Sequence, residues 1–209
     1  MYAAALQFSS IWIFARGLRN ILRQDPDIIM IGEIRDRETA EMAIQSALTG
    51  HMVYSTLHTN DATSAVTRLL DLGIEPYLVA SSLKGVLAQR LVRRICPNCT
   101  TKVEHDGPVP PIAGGNPGTS EMAPESSFRG QGCDDCRQTG YQGRIGIFEM
   151  MLVNEPIQSL IQQQTNATQI RNEATSSAGM KLLRADGYSK VESGLTTLDE
   201  IYRVSMEEA

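Results

Sequence analysis

Four cysteine side chains are arranged in the sequence as two pairs that could hold a metal ion. Cys96 and Cys99 enclose two residues, and so do Cys133 and Cys136. Two such pairs supply four thiolates, the donor set of tetrahedral structural zinc sites, and four sulfur ligands leave no open position for catalysis. The spacing therefore predicts structural Zn²⁺. A redox dithiol, a vestigial site and four unrelated buried cysteines are the alternatives.

A second candidate for chemistry is Glu33, in the stretch DIIMIGEIRD that begins at Asp27. The apolar run 28–31 predicts a buried strand, and Gly32 and Glu33 follow where that strand ends. Nucleotide-hydrolysing sites present a Walker B acid at this place, where it acts on the Mg²⁺ shell or on the attacking water. Many apolar strands end in an acidic residue with no catalytic role, so the pattern alone also fits a structural residue.

Two histidines flank the next apolar run. His51 precedes it and His58 follows it. They are seven positions apart, which puts their side chains on opposite faces of a strand, so they are not an obvious metal-binding couple. A single histidine is more often structural than catalytic. At the carboxyl end of a neighbouring strand, however, His58 is predicted to lie beside Glu33, within reach of a γ-phosphate.

Arginines form a further set of candidates, because a guanidinium can bind phosphate through its fork geometry or act across a subunit interface. Asp36 is close enough in sequence to pair with one of them. The alternative is a solvated helix face whose arginines pair with neighbouring Asp and Glu. The set comprises Arg16, Arg19, Arg23 and Arg35, with Arg90, Arg93 and Arg94 later in the chain.

Alternating helices and strands must position these residues. The sequence predicts an amphipathic helix over 14–24 with an arginine stripe. It then predicts a strand over 28–31 that is buried on both faces, as in a parallel sheet between helices. Asp36 is predicted to cap a helix that ends at Gly50. This order is typical of an α/β fold with functional residues at the carboxyl ends of the strands.

The pattern continues through residue 91. A second strand is predicted over 52–57, and it leads to a helix capped by Thr59 or Asn60 that ends at Gly73. Pro76 suits the first turn of a longer helix, which is predicted to reach Leu91.

Composition changes after the first cysteine pair. Proline, glycine and serine are frequent over 104–130, which predicts a flexible loop or linker rather than a further element. Structure is predicted to resume with the second cysteine pair, and the C-terminal part is helical in pattern. Thr197 and Glu200 are predicted to form a capping box there.

Charge and composition exclude some classes of protein. The net charge of −5 and the isoelectric point near 5.3 argue against a protein that binds nucleic acid. The apolar start lacks a basic residue before Arg16 and is interrupted by polar residues, so it fits poorly as a secretory signal or a membrane span. A cytoplasmic protein is expected, in which cysteine pairs bind metal more often than they form disulfides.

The stretch from Phe14 to Cys99, with GYQGRIGIFEMM and GLTTLDEIYRV further on, resembles the ATPases of type II secretion and type IV pilus assembly. The resemblance implies an α/β fold: the C-terminal part of a RecA-like P-loop ATPase domain with a tetracysteine zinc subdomain and a helical C-terminal region. It also implies a homo-hexamer at the inner face of the bacterial inner membrane. Platform proteins of that membrane are the implied partners, and ATP, Mg²⁺ and structural Zn²⁺ the implied ligands.

The resemblance also assigns roles to individual residues. Glu33 and His58 are implied to be catalytic, the other matched side chains to bind nucleotide or line an interface, and the cysteines to bind metal. The matched residues are Gly32, Glu33, Arg35 and Asp36 in the Walker B motif, His51 and His58 in the histidine box, Arg16, Arg19 and Arg23 in the arginine-bearing helix, and Cys96, Cys99, Cys133 and Cys136 in the zinc subdomain.

One motif of the family does not occur in the sequence, namely the phosphate loop Gly-x-x-x-x-Gly-Lys-Ser/Thr. The chain is therefore expected to be the C-terminal portion of such an ATPase and to turn over no ATP alone. Three domains are expected: a partial RecA-like core over 1–95, a zinc subdomain over 96–145 and a helical region over 146–209. The alternative function is a non-catalytic zinc-binding module that binds the secretion platform or a full-length ATPase.

Overall fold

The computed structural model describes residues 3–6, 26–104 and 126–205. Seven strands and seven α-helices lie in those ranges. The strands are β1 (Ala3–Leu6), β2 (Ile28–Ile31), β3 (Met52–Ser55), β4 (Gly85–Ile95), β5 (Thr100–Glu104), β6 (Ser126–Gly130) and β7 (Tyr141–Leu152). The helices are α1 (Arg37–Leu48), α2 (Ser64–Asp71), α3 (Pro76–Ser82), α4 (Glu155–Gln162), α5 (Ala167–Ser177), α6 (Leu183–Glu192) and α7 (Leu198–Ser205).

Contacts divide the chain into two compact units. One comprises Met1–Val86 and Met151–Met180, and the other comprises Leu87–Met150 and Lys181–Ala209. The second unit has a core of buried apolar side chains, namely Val92, Ile147, Leu183, Tyr188, Val191, Leu198, Ile201 and Val204. Among the described residues, none of the helices combines the length and the hydropathy that crossing a bilayer requires.

A parallel sheet of β1, β2 and β3, in that order, forms the framework of the first unit. The predicted strand over 28–31 and its parallel pairing are confirmed, but burial on both faces is wrong. Ile29 and Ile31 are 0% and 1% exposed, whereas Met30 is 54% exposed. Alternate residues of a strand face opposite sides of a sheet, and here only one side is covered. The helix predicted over 14–24 lies outside the described residues.

The helix after β2 begins as predicted. Asp36 is its N-cap, and the Asp36 carboxylate accepts a hydrogen bond of 2.9 Å from the backbone N–H of Thr39. The next helix, α2, is not capped by Thr59 or Asn60. It begins at Ser64, whose backbone N–H donates to the carboxylate of Asp61 over 2.6 Å. The Asp61 side chain, three residues earlier, therefore accepts from a backbone N–H that has no partner within the helix.

The longer helix predicted from Pro76 to Leu91 is wrong. Helix α3 ends at Ser82, and residues from Gly85 onward form the long strand β4, which pairs with β7. Over a stretch this short, the spacing of the apolar residues fits the period of a helix and also that of a strand, so it does not decide between the two. Pairing with β7, which begins 46 residues after β4 ends, decides between them, and local sequence carries no sign of that partner.

The segment predicted as a loop over 104–130 contains a strand at its end. Strand β6 pairs antiparallel with β5, with Thr100 opposite Gly130 and Glu104 opposite Ser126. The prediction of no further element is therefore wrong for Ser126–Gly130, while residues 105–125 lie outside the described part of the chain.

The C-terminal part is helical from α4 to α7, as predicted, but the preceding strand β7 was not predicted. Only half of the predicted capping box forms. Thr197 Oγ1 accepts from the backbone N–H of Glu200 over 3.4 Å. The Glu200 carboxylate instead accepts from the backbone N–H of Arg93 over 2.7 Å, and from the guanidinium groups of Arg93 and Arg203. A buried carboxylate thus joins β4 to α7.

Candidate functional site

The four cysteine sulfurs, here called the tetracysteine cluster, lie together. Their Sγ atoms are all within 4.8 Å of one another, and none forms a disulfide. The Sγ atoms of Cys96 and Cys133, and those of Cys99 and Cys136, are 3.8 Å apart. Tetrahedral zinc with bonds of about 2.3 Å to sulfur separates its ligands by roughly 3.8 Å, so this spacing fits a four-sulfur metal site.

Strand ends position the cluster. Cys96 directly follows β4, and Cys99 directly precedes β5. Two backbone hydrogen bonds join the halves, from Cys96 N–H to Gly140 C=O over 3.0 Å and from Gln131 N–H to Cys99 C=O over 3.0 Å. The backbones approach so closely beside these bonds that a Cβ on Gly130 would lie 2.0 Å from the Gly140 oxygen. Only glycine permits this approach.

Backbone N–H groups point at the sulfurs. The Cys99 Sγ accepts from Gly132 over 3.3 Å, and the Cys136 Sγ accepts from Cys133 and Gly140 over 3.2 and 3.3 Å. Burial of the Cys136 thiol opposes its ionisation, yet these two N–H groups, with hydrogen bonds from the Cys133 and Cys99 side chains, outweigh burial and lower the pKa of Cys136 to about 6. Burial raises the pKa of the Cys99 thiol. Donors aimed at sulfur favour the thiolate form, which is the form that binds metal.

The carboxyl ends of two parallel strands bring a second group together, here called the Glu33–His58 pair. Glu33 follows β2 and His58 follows β3, and these strands are adjacent in the sheet. The His58 Nε2 atom lies 3.0 Å from the Glu33 Oε2 atom. The Nε atom of Arg35 lies 2.6 Å from the same oxygen. The Glu33 side chain is 34% exposed and that of His58 82%, so the pair is open to a ligand from solution.

Electrostatics keep the Glu33 carboxyl ionised. Hydrogen bonds from Arg35 and then from His58 lower the pKa of Glu33. An ionised carboxylate is acceptor-only, so it can take a proton from water or orient a hydrated cation.

Two hydrogen bonds tie the strand ends on either side of Glu33. The hydroxyl of Thr56 donates to the Gly32 carbonyl over 2.7 Å, and the Ile34 N–H donates to the Thr56 carbonyl over 2.9 Å. Sequence reasoning placed Gly32 in the motif but did not single out Thr56. A threonine just after a strand is too common to signal this role.

Other expected residues lie elsewhere or have local partners. The Asp36 carboxylate caps α1. His51 precedes β3, at the opposite end of that strand from His58, and its Nδ1 atom lies 3.0 Å from the Ser46 carbonyl oxygen. The three arginines of the predicted helix, Arg16, Arg19 and Arg23, lie outside the described residues.

An ion pair that sequence reasoning missed lies behind the His58 loop. Asp61 is 7% exposed, and its carboxylate accepts from Ser64 N–H over 2.6 Å, from the Thr63 hydroxyl over 3.0 Å and from the Arg171 guanidinium. Burial opposes ionisation of Asp61, but the bonds from Ser64, with Arg171 and Thr63, outweigh burial and lower its pKa. Neither partner was predicted, because the sequence offers Thr59 or Asn60 as the cap of α2 and Arg171 lies 110 residues after Asp61.

Comparison with known proteins adds an independent observation. The family described as "Type II/IV secretion system protein" matches residues 9–203. The chain is 50% identical over 195 residues to the type II secretion system protein E of Pseudomonas aeruginosa. It is 48% identical to the type II secretion system ATPase E of Vibrio cholerae and 47% identical to the type IV pilus assembly ATPase PilB of Thermus thermophilus. These matches cover 93% of the chain and 38%, 37% and 22% of the relatives.

Solved structures share the fold. The pilus retraction motor PilT with bound ADP superposes with a TM-score of 0.62 at 26% identity, over 91% of this chain and 43% of the other. The ATPase DotB of Legionella pneumophila superposes with a TM-score of 0.60 at 23% identity, over 94% and 42%. The predicted α/β fold of this ATPase class, with a tetracysteine site, is thereby confirmed.

Proposed function

Because the chain belongs to the type II/IV secretion system protein family, we propose that it forms part of the ATP-hydrolysing motor of type II protein secretion or type IV pilus assembly. The observation that carries this proposal is the Glu33–His58 pair, an ionised carboxylate held at the carboxyl ends of adjacent parallel strands. Ligands of open α/β sheets bind at this edge.

In the proposed reaction Glu33 is the acidic residue of the Walker B motif and acts as the general base. Its carboxylate orients the attacking water and accepts a proton from it, while His58 Nε2 and Arg35 hold the Oε2 atom in place. Bound ATP and Mg²⁺ supply the electrophilic γ-phosphate and the cation that neutralises its charge.

The remaining matched residues complete the proposal. Gly32, whose carbonyl accepts from the Thr56 hydroxyl, belongs to the proposed nucleotide-binding or interface set. Asp36 and His51, whose local contacts fix the ends of α1 and β3, belong with Arg16, Arg19 and Arg23 to the proposed nucleotide-binding or interface set. The arginines are included because the fork geometry of a guanidinium can bind a phosphate, either in the same subunit or across a subunit interface.

A chimera tests the hydrolytic role. In the Pseudomonas aeruginosa relative, the matching segment is replaced by this chain, and Mg²⁺-dependent phosphate release is measured. We expect release by the chimera, and a loss of roughly 10²–10⁴-fold in Glu33→Gln, the range for removal of a general base. Arg184→Gln, a control far in sequence from the motif, keeps its activity. Equal rates with and without the Glu33 carboxylate would overturn the proposal.

We also propose that the tetracysteine cluster binds structural Zn²⁺ through Cys96, Cys99, Cys133 and Cys136. The spacing of the sulfurs and the N–H groups aimed at them support it. Zinc supplies four bonds to thiolate there, which tie β4, β5 and the turn before β7 together. Atomic emission on purified chain is expected to give one zinc per chain, and a chain without zinc or other metal contradicts this assignment.

The family supports further proposals about the assembly. We propose a homo-hexamer, peripheral to the membrane on its cytoplasmic face, that binds inner-membrane platform proteins and no nucleic acid. A partial RecA-like core over 1–95, a zinc subdomain over 96–145 and a helical region over 146–209 remain the proposed domains.

A second candidate function is a non-catalytic module that binds the platform or a full-length ATPase. It is favoured by the apolar side chains that unit two exposes on β4 and β7: Leu87, Leu91, Phe148 and Met150 are 59%, 43%, 40% and 46% exposed. Exposed apolar patches mark protein contacts. Adding the chain to the full-length relative separates the two functions. Co-elution with a changed ATPase activity supports the non-catalytic module. The absence of both co-elution and a change in activity counts against it.

A further inference from the structure

We propose that Arg171 is a positioning residue for the Glu33–His58 pair, acting through Asp61. The role rests on the proposed function, because it is the hydrolytic use of Glu33 and His58 that gives their geometry a purpose. Arg171 lies on α5, in the same compact unit as both residues. It contacts neither of them in any recorded bond, so its influence passes through the loop that carries His58.

That loop has one fixed end at the strands. Thr56 donates to Gly32 over 2.7 Å and accepts from Ile34 over 2.9 Å, so the backbone just before His58 is tied on both sides of Glu33. These bonds fix where the loop leaves β3. They do not fix where the His58 side chain points, since 82% of that side chain is exposed.

The other end of the loop is fixed by Asp61. Its buried carboxylate accepts from Ser64 and Thr63, which are local partners, and from Arg171, which is 110 residues away. The local bonds tie Asp61 to Thr63 and to Ser64, the first residue of α2. The Arg171 bond is different, because it fastens the loop to α5, a helix packed against α2 and α4.

A charge-assisted bond to a buried carboxylate is among the stronger hydrogen bonds in proteins, and leaving such a carboxylate without its cation is costly. Removing the guanidinium therefore breaks the recorded bond that ties the loop to α5, and His58, three residues before Asp61, loses its fixed distance to Glu33. The geometry of the pair is then averaged over several loop positions. Misplacement by about 1 Å is enough to lower turnover strongly.

Nitrogen-detected imidazole spectra of the full chain test this inference without any nucleotide. The chain has 3 histidines, so the His58 Nε2 resonance can be assigned by its absence in His58→Asn. Glu33→Gln defines how far the resonance moves when the carboxylate is lost. We expect Arg171→Ala to move it most of that distance and Arg171→Lys, which keeps the charge, to restore most of the wild-type position.

Arg203→Ala is the matched control, because Arg203 also pairs with a buried carboxylate, that of Glu200 in the other unit. It should leave the His58 resonance unchanged. An Arg171→Ala spectrum with His58 at its wild-type position overturns the proposal. If that variant does not fold, Arg171→Gln is measured, and an unchanged His58 resonance overturns the proposal equally. The readout needs no hydrolysis, so an inactive chimera would refute the proposed function and leave this result standing.

Discussion

The tetracysteine cluster and the Glu33–His58 pair both lie at strand ends, but the chain supplies very different shares of the two sites. All four ligands of the cluster, and the N–H groups that favour their thiolate form, come from residues 96–140. The Glu33–His58 pair offers one carboxylate and one imidazole, both partly open to solvent. A site whose ligands all come from the chain suits a structural metal, whereas a solvent-exposed pair suits a substrate that must enter and leave.

The largest expected effect is the loss of metal from the cluster. Cys136→Ser removes the sulfur that receives two N–H bonds, and structural zinc contributes about 10–16 kcal/mol to folding in small peptides. We expect loss of bound zinc and of protected amides around β5 and β6, measured by atomic emission and hydrogen exchange. Asp135→Asn, whose exposed carboxylate binds only the Asn98 amide in the recorded contacts, is the control.

The same variant sharpens the comparison, because the recorded contacts of the Glu33–His58 pair all lie within the other unit. The imidazole resonance of His58 should therefore survive in Cys136→Ser. Collapse of both signals together would mean that the two regions depend on each other for folding.

A second prediction concerns the backbone contact that closes the cluster. Gly130→Ala places a Cβ 2.0 Å from the Gly140 oxygen, so the two halves of the site must separate. We expect a cost of about 3 kcal/mol, seen as roughly a 100-fold loss of zinc affinity in a chelator competition.

Gly143→Ala is the matched control for this change. A Cβ there meets nothing within 4 Å, although the φ of +76° strains a side chain by about 1 kcal/mol. Zinc affinity should stay near the wild-type value in this control. Equal zinc affinity in Gly130→Ala and wild type would show that the halves are free to shift.

A third prediction concerns the buried carboxylate of unit two. Glu200→Ala leaves the Arg93 backbone N–H and two half-exposed guanidinium groups without their shared acceptor. We expect a loss of about 2–3 kcal/mol in urea denaturation, with Glu192→Ala, an exposed position on α6, close to wild type. A wild-type urea midpoint for Glu200→Ala would show that this network does not stabilise the second unit.

The last prediction concerns how the stability contributed by the Glu200 carboxylate depends on pH. Burial opposes ionisation of Glu200, but Arg203 and Arg93 outweigh burial and lower its pKa from 4.5 to about 2. The folded state thus favours the charged form, and the resulting stability is present above pH 4.5 and lost as the pH falls toward 2. The stability difference between wild type and Glu200→Gln should shrink over that interval. A constant difference would contradict the ionised network.

Local signals predicted a large part of this molecule. The strand over 28–31, the Asp36 cap and the pairing of the cysteine motifs could be predicted because propensity, capping and ligand spacing all act within a few residues. The placement of His58 beside Glu33 followed from the rule that parallel strands end at one edge of a sheet.

Long-range partners account for what could not be predicted. The sequence predicts a helix where β4 forms, because the partner strand β7 begins 46 residues after β4 ends. It predicts a capping box at Glu200, whose main partner, Arg93, lies 107 residues earlier. Arg171 lies 110 residues from Asp61, so local sequence does not predict that pair either. In each case a contact between distant residues outweighs a local preference of about 1 kcal/mol.

We hold that Glu33 performs chemistry while the tetracysteine cluster stabilises the fold, and Glu33→Gln in the chimera separates these two roles. In the chimera carrying Glu33→Gln, ATP affinity, kcat and zinc content are measured on one preparation. We predict a kcat lowered roughly 10²–10⁴-fold with ATP affinity and zinc content unchanged, because the carboxylate acts in the transition state and not in binding. An unchanged kcat, or a loss explained entirely by weaker ATP binding, would contradict that claim.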